Sequence, residues 1–244
     1  MPPPGIDIAP DAVGLPKLGR NDVPDYLSRH YWWAYVHPRA VHLFERQWLV
    51  NLILWGNYRR LRDAALQSLG DALPGKTLQI ACVYGDLTER LCQRVKAGGG
   101  HLDVVDVLPI QLANLRQKLS PEAPVQLLER NSAELGGADA RYDRAVLFFL
   151  LHEQPAEIRR RTLEEAFRVV KPGGTILIID YAKPSRWNPL RYLWLPILTR
   201  LEPFAPDLWH QAITSFLPDS WRKHDLSHTS FFGGLYQRLV ISRR

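Results

Sequence analysis

The sequence predicts a doubly wound α/β domain: a mostly parallel, seven-stranded sheet with helices on both faces. Three observations predict it. Residues 78–83 form a short apolar run carrying Ile and Val, as a buried strand should. Tyr84-Gly85-Asp86 breaks that run, and Leu87, Leu91 and Val95 follow at helical spacing, so the stretch reads strand, tight turn, helix. The same alternation then repeats as far as residue 180, with Asp106 closing the second strand roughly 20 residues beyond the first turn.

Taken in order, residues 1–24 are rich in Pro and Gly and read as a flexible arm. Residues 25–72 read as a helical cap. In Asp25-Tyr-Leu-Ser-Arg-His-Tyr-Trp-Trp-Ala-Tyr-Val-His-Pro38 aromatic rings alternate with His30 and His37. This is either a helix packed by its aromatic face or a cover for a flat apolar ligand. Residues 39–69 read as helix, with Val41, Phe44, Trp48, Leu52 and Trp55 at threes and fours and an interruption at Gly56-Asn57.

From residue 73 onward the α/β domain begins. Strands are expected at 78–83, 101–107, 125–129, 144–151 and 175–180, with helices after Asp86, at 109–119 and at 158–170. Arg159-Arg-Arg161 reads as a solvated helix face. The strand pattern lapses over about 182–218, where Trp187, Leu190, Tyr192, Leu193 and Trp194 sit among prolines and arginines; this is a lid or an amphipathic surface segment. Residues 221–228 and 231–242 read as antiparallel closing strands.

At 244 residues with 46% hydrophobic content, the chain can bury one large core. Its net charge of +6 admits nucleic acid or anionic lipid as partner and does not separate them. Cys82 and Cys92 lack metal-ligand spacing and read as reduced apolar residues of a cytoplasmic protein. No apolar run is long enough to span a bilayer. Asp106 is placed either to hold ribose hydroxyls or to cap the helix that follows.

Four features together resemble class I S-adenosylmethionine (SAM)-dependent methyltransferases, with their Rossmann-like fold. They are the first turn, Asp106, Tyr142-Asp143 opening the fourth strand, and Phe167-Arg-Val-Val-Lys-Pro-Gly-Gly174, a signature frequent in quinone and sterol methyltransferases. The resemblance implies a SAM site at Gln79, Ala81, Tyr84, Gly85, Asp86, Asp106, Val107, Asn131, Ser132 and Phe148. Within it the pattern departs: the family has an acid at the place of Gln79, and glycines at those of Ala81 and Val83. A neutral Gln79 would leave the cofactor's amine less stabilised as an ammonium, hence more nucleophilic.

Val83-Tyr-Gly-Asp86, Leu151-His-Glu-Gln-Pro155 and His30-Tyr-Trp-Trp-Ala-Tyr-Val-His-Pro38 resemble the rhodoquinone-biosynthesis proteins. That resemblance implies amination of ubiquinone, a ring methoxy group giving way to amino, with SAM as amino donor and a divalent metal, manganese, as helper. His152, Glu153 and Asp180, at the ends of neighbouring strands, are the candidate metal ligands. His152, Tyr84 and Asp180 are the candidate catalytic residues, His152 also as a general base. A lipophilic quinone implies peripheral attachment to the inner-membrane surface, through Trp187, Arg191, Trp194 and Arg200, with no role for nucleic acid. The alternatives are a SAM-dependent methyltransferase acting on a quinone or other lipophilic acceptor, and a noncatalytic module of the same fold.

Overall fold

The computed structural model describes residues 24–30 and 46–244. Most of the aromatic cluster, including residues 31–45 and the side chain of His30, lies outside the described residues. Helix α1 is Asp25–His30, α2 is Gln47–Ile53 and α3 is Tyr58–Leu69. The expected interruption at Gly56-Asn57 separates α2 from α3, with Trp55 at φ 53° and Gly56 at φ 76° making the break.

Seven strands follow: β1 Lys76–Ile80, β2 His101–Asp106, β3 Val125–Glu129, β4 Tyr142–Phe148, β5 Val170–Tyr181, β6 Asp225–Phe231 and β7 Tyr236–Ser242. Between them lie α4 Leu87–Ala97, α5 Pro109–Lys118, α6 Ala156–Val169, α7 Leu190–Leu201 and the short α8 Asp207–His210. The sheet order is β3-β2-β1-β4-β5-β7-β6, parallel except for β7, which runs antiparallel to both its neighbours. The chain moves outward from β1 through β3, then returns to place β4 on the other side of β1. That reversal opens a crevice at the carboxyl ends of β1 and β4, where Ile80 pairs with Leu147.

Alternation along the strands builds a core on each face. Val104, Val146 and Leu177 pack with Tyr58, Leu61, Leu91 and Leu115 on one side. Val105, Leu147 and Ile178 pack with Leu163, Phe167, Leu208 and Phe216 on the other. β1 is shorter than its apolar run suggests. It ends at Ile80, because Ala81 takes φ +72° and turns the chain, although its N–H still bonds to Val105 O at 2.9 Å.

One sequence expectation is corrected by the packing. Arg159 is fully buried instead of solvated, while Arg160 and Arg161 face outward. Its guanidinium donates to Leu151 O and Gln154 O, both at 2.8 Å, and to Phe204 O at 3.2 Å. A buried cation answering several carbonyls of one turn pins that turn, here the segment carrying His152.

Candidate active site

A cavity of about 550 Å³ sits at the switch point, within the usual span for small-molecule pockets. Its floor is the β1 turn, Ala81 to Tyr84; one wall is Asp106, Val107 and Leu108 after β2, continued by Arg130, Asn131 and Ser132 after β3. Phe148 to Leu150 and His152 to Gln154 close the β4 side, and Tyr181 the β5 side. The roof is α2 and α7, with Trp194, Leu198 and Glu202. One end is polar and the other aromatic.

At the polar end, Asp106 accepts the backbone N–H of Cys82 at 2.7 Å and of Leu108 at 2.8 Å. Each oxygen keeps a further lone pair. Burial raises its pKa to about 6, against the lowering effect of the Leu108 and Cys82 N–H groups. Asp106 thus ties β1's turn to the end of β2 and lines the cavity. Tyr84 is held over the floor by Gln111, whose amide donates to the phenol oxygen at 2.9 Å.

At the other end, His152 Nδ1 lies 2.9 Å from Asp180 Oδ1, and His152 Nε2 lies 3.8 Å from Glu153 Oε1. Burial by itself would lower the imidazole pKa, but Asp180, with smaller help from Glu202 and Glu153, outweighs it and raises it to about 9. The raised pKa favours the protonated imidazole, so that His152 can donate a proton as well as accept one. Phe149 at φ 54° sets its ring edge-on to both His152 and Tyr181, with centroids at 5.9 and 5.5 Å.

Asp106, Val107, Asn131, Ser132, Phe148, Ala81, Tyr84, His152 and Glu153 are brought together around this cavity. Four expected site residues stand outside it. Gln79 is fully buried in β1, and its amide donates to Ala81 O at 3.0 Å while its Oε1 has no partner. It props the turn from beneath and does not line the cavity. Gly85 packs against Tyr58, whose hydroxyl a Cβ at φ +88° would strike. Asp86 points to α3, where Arg62 holds it at 2.7 Å and lowers its pKa to about 2 against the opposing effect of burial.

Asp180 is the fourth. It is fully buried, and its carboxylate accepts the N–H groups of Leu151, His152 and Tyr181 besides the imidazole. With its lone pairs so occupied it orients His152 and is not available to a metal. Among the described residues no group of three His, Cys, Asp or Glu side chains could hold a metal ion. Among the described residues His152 and Glu153 are two donors without a third, so the donor set described does not fit the expected manganese.

Sequence reasoning missed Tyr58. Its hydroxyl accepts N–H bonds from Asp86 at 2.8 Å and Leu87 at 3.2 Å, capping α4 under the turn. Arg159 and Glu202 were missed as well. Tyr58 precedes Leu61 by one helical step, which marks its face as buried, but the partner lies 28 positions away.

Comparison with known proteins agrees with this architecture. A family model described as a methyltransferase domain matches residues 77–174. The ubiquinone/menaquinone biosynthesis C-methyltransferase UbiE of Vibrio vulnificus is 28% identical over 182 residues, covering 72% of this chain and 68% of that protein. The 2-phytyl-1,4-naphtoquinone methyltransferase of Nostoc is 31% identical over 134 residues, covering 53% and 57%. Human N-acetylserotonin methyltransferase in complex with SAM superposes with a TM-score of 0.60 at 19% identity, over 91% of this chain and 60% of that one. The N-methyltransferase NodS of Bradyrhizobium japonicum gives 0.56 at 13%, over 76% and 95%. Residues 77–174 thus match a methyltransferase-domain model, and the chain has the class I, Rossmann-like fold seen in SAM-dependent methyltransferases.

Proposed function

We propose that the cavity takes SAM at its Asp106 end and a lipophilic quinone at its aromatic end, and that the reaction is amination of the quinone, ring methoxy being replaced by amino. The observation that carries this reading is the floor. Ala81, Val83 and Tyr84 line it with side chains where the resemblance puts backbone and glycine, so the amino-acid end of a bound cofactor would have to shift within the cavity. Bound there, SAM would supply an amine for the ring, or a methyl group.

The chain's own residues have definite tasks in this reading. Asp106 would accept ribose hydroxyls on the lone pairs that Cys82 and Leu108 leave free. His152, protonated, would donate from Nε2 to a quinone oxygen and so take the electrostatic part otherwise expected of a metal. Its proton would sit on that oxygen while the electron pair of the entering nitrogen resides there, and would return as methoxide is expelled. Glu153, beside Nε2, would accept the proton that the nitrogen sheds and pass it to methoxide, which leaves as methanol. The nitrogen, still joined to its amino-acid carbon, would be freed by tautomerisation to the hydroquinone imine and hydrolysis to aminohydroquinone and a 2-oxo acid. Excess ubiquinone would then oxidise the aminohydroquinone to aminoquinone.

Methyl transfer to a quinone ring is the second reading, supported by the quinone methyltransferases of Vibrio vulnificus and Nostoc. One experiment separates the two. Purified protein is incubated with ubiquinone and SAM carrying heavy nitrogen in its amino group, with and without manganese, and the quinones are weighed by mass spectrometry. Heavy aminoquinone is the expected product. A methylated quinone moves the assignment to the second reading, and no product together with no SAM-induced rise in melting temperature overturns both.

A further inference from the structure

Helices α2 and α7 form the cavity's roof, yet each also turns large apolar side chains to the outside. Leu49, Val50, Ile53 and Leu54 of α2 line the cavity, while Trp48 and Leu52 on its other side are 60% and 65% exposed. In α7, Trp194, Leu198 and Leu201 line the cavity, while Tyr192 and Leu193 are 63% and 67% exposed, and Trp187 just before it is 81% exposed. Large apolar side chains on the outer face of a helix normally lie against a partner or a lipid phase. Trp55 and Trp194 meet edge to face at 5.2 Å and join the two helices into one surface. Ile53 and Leu201 both line the cavity and are partly exposed, so the cavity opens through this surface.

The stretches that hold the two helices carry basic charge and no acid, Glu45 and the cavity-lining Glu202 lying just outside them in sequence. Residues 46–60 carry Arg46, Arg59 and Arg60, residues 183–201 carry Lys183, Arg186, Arg191 and Arg200, and neither stretch contains an Asp or Glu. Arg186 lies over the Trp187 ring at 4.9 Å, an indole and a guanidinium presented together at the rim. Among the described residues no helix is long and apolar enough to cross a membrane.

We infer that the α2–α7 surface lies on an anionic phospholipid bilayer, with Trp48, Leu52, Trp187 and Leu193 in the interface, the basic residues at the headgroups, and the cavity mouth facing the lipid. Apolar and aromatic side chains backed by cations are the chemistry of interfacial attachment, and the basic rim selects an anionic partner. The arrangement lets a lipophilic ligand pass from lipid to cavity without crossing water. In that last respect it rests on the quinone reading; the attachment itself does not.

The test is co-sedimentation with vesicles of phosphatidylcholine containing one quarter phosphatidylglycerol, and with phosphatidylcholine alone, in the absence of quinone and SAM. Wild-type protein is expected to pellet with the anionic vesicles and to be released by high salt. The pairs Trp48→Ser with Leu52→Ser and Trp187→Ser with Leu193→Ser, with melting temperatures checked, should each weaken binding at least tenfold. Wild-type protein left in the supernatant overturns the inference, as does unchanged binding by both folded pairs. So does a dimer, without lipid, that the same substitutions dissociate, since a second copy would then cover the surface. Aminoquinone formation from detergent-dispersed substrate reports on the reaction separately.

Discussion

His152 Nδ1 and Asp180 Oδ1 stand 2.9 Å apart at the buried side of the cavity, and the carboxylate is itself fixed by three backbone N–H groups. The pair favours the charged imidazole and leaves Nε2 as the proton that meets a ligand. Its titration gives the first prediction. The imidazole pKa is raised from 6.5 to about 9 on folding, so its contribution to stability is complete below about pH 6.5 and is lost as pH rises through 9. Urea midpoints of the wild type should fall over that window, and those of His152→Gln should fall less. Equal slopes would reject the pairing. Product formation in the variant should drop by roughly 100-fold or more, with SAM affinity little changed.

Tyr58 holds the turn from α3. Tyr58→Phe removes the acceptor of the Asp86 and Leu87 N–H groups and leaves two enclosed donors unpaired, at a cost of roughly 1–3 kcal/mol. Chemical denaturation should register that loss, and SAM should bind more weakly because the floor is less ordered. A variant as stable as the wild type would show that water replaces the hydroxyl.

Ala81 occupies a left-handed conformation that costs an L-residue roughly 1–2 kcal/mol. Ala81→Gly should therefore raise stability by about 1 kcal/mol, less what the freer unfolded chain takes back. It should also widen the cavity floor, and a shift of product from aminoquinone toward methylated quinone would be the matching change in chemistry. A lowered melting temperature would show that the Ala81 methyl group is needed for packing.

Gln79→Glu bears on the departure that the sequence made most visible. In the structure the Gln79 amide donates to Ala81 O and is sealed from the cavity, so a carboxylate there would face an acceptor without a compensating charge. The expected outcome is destabilisation of roughly 1–3 kcal/mol, greater at pH 8 than at pH 5, and no gain in SAM affinity. Tighter SAM binding in the variant would return Gln79 to the ligand's contact shell.

The sheet and the location of its crevice were legible in the sequence, because both depend on local patterns. A run of β-branched residues, a break at Tyr84-Gly85 and a 3.6-residue stripe from Leu87 specify a unit, and repetition of the unit specifies parallel pairing. Asp106 was legible for the same reason: the end of β2 in such a sheet opens beside the end of β1.

Which way a side chain faces at a strand's end depends on the last one or two dihedral angles, and no periodicity reports those. The left-handed turn at Ala81 puts Gln79 beneath the floor, and the pairing of β5 with β4 and β7 sinks Asp180 behind His152. The sequence by itself determined a methyltransferase-type α/β domain with its ligand crevice after β1, since hydrophobic spacing and turn chemistry are short-range. Only the tertiary structure decided that Asp180 serves His152 instead of a metal, that Tyr58 and Arg159 hold the site's loops, and that the crevice opens through an apolar roof. Those facts rest on contacts between residues 28 to 139 positions apart, whose energies depend on burial and distance that a linear chain does not display.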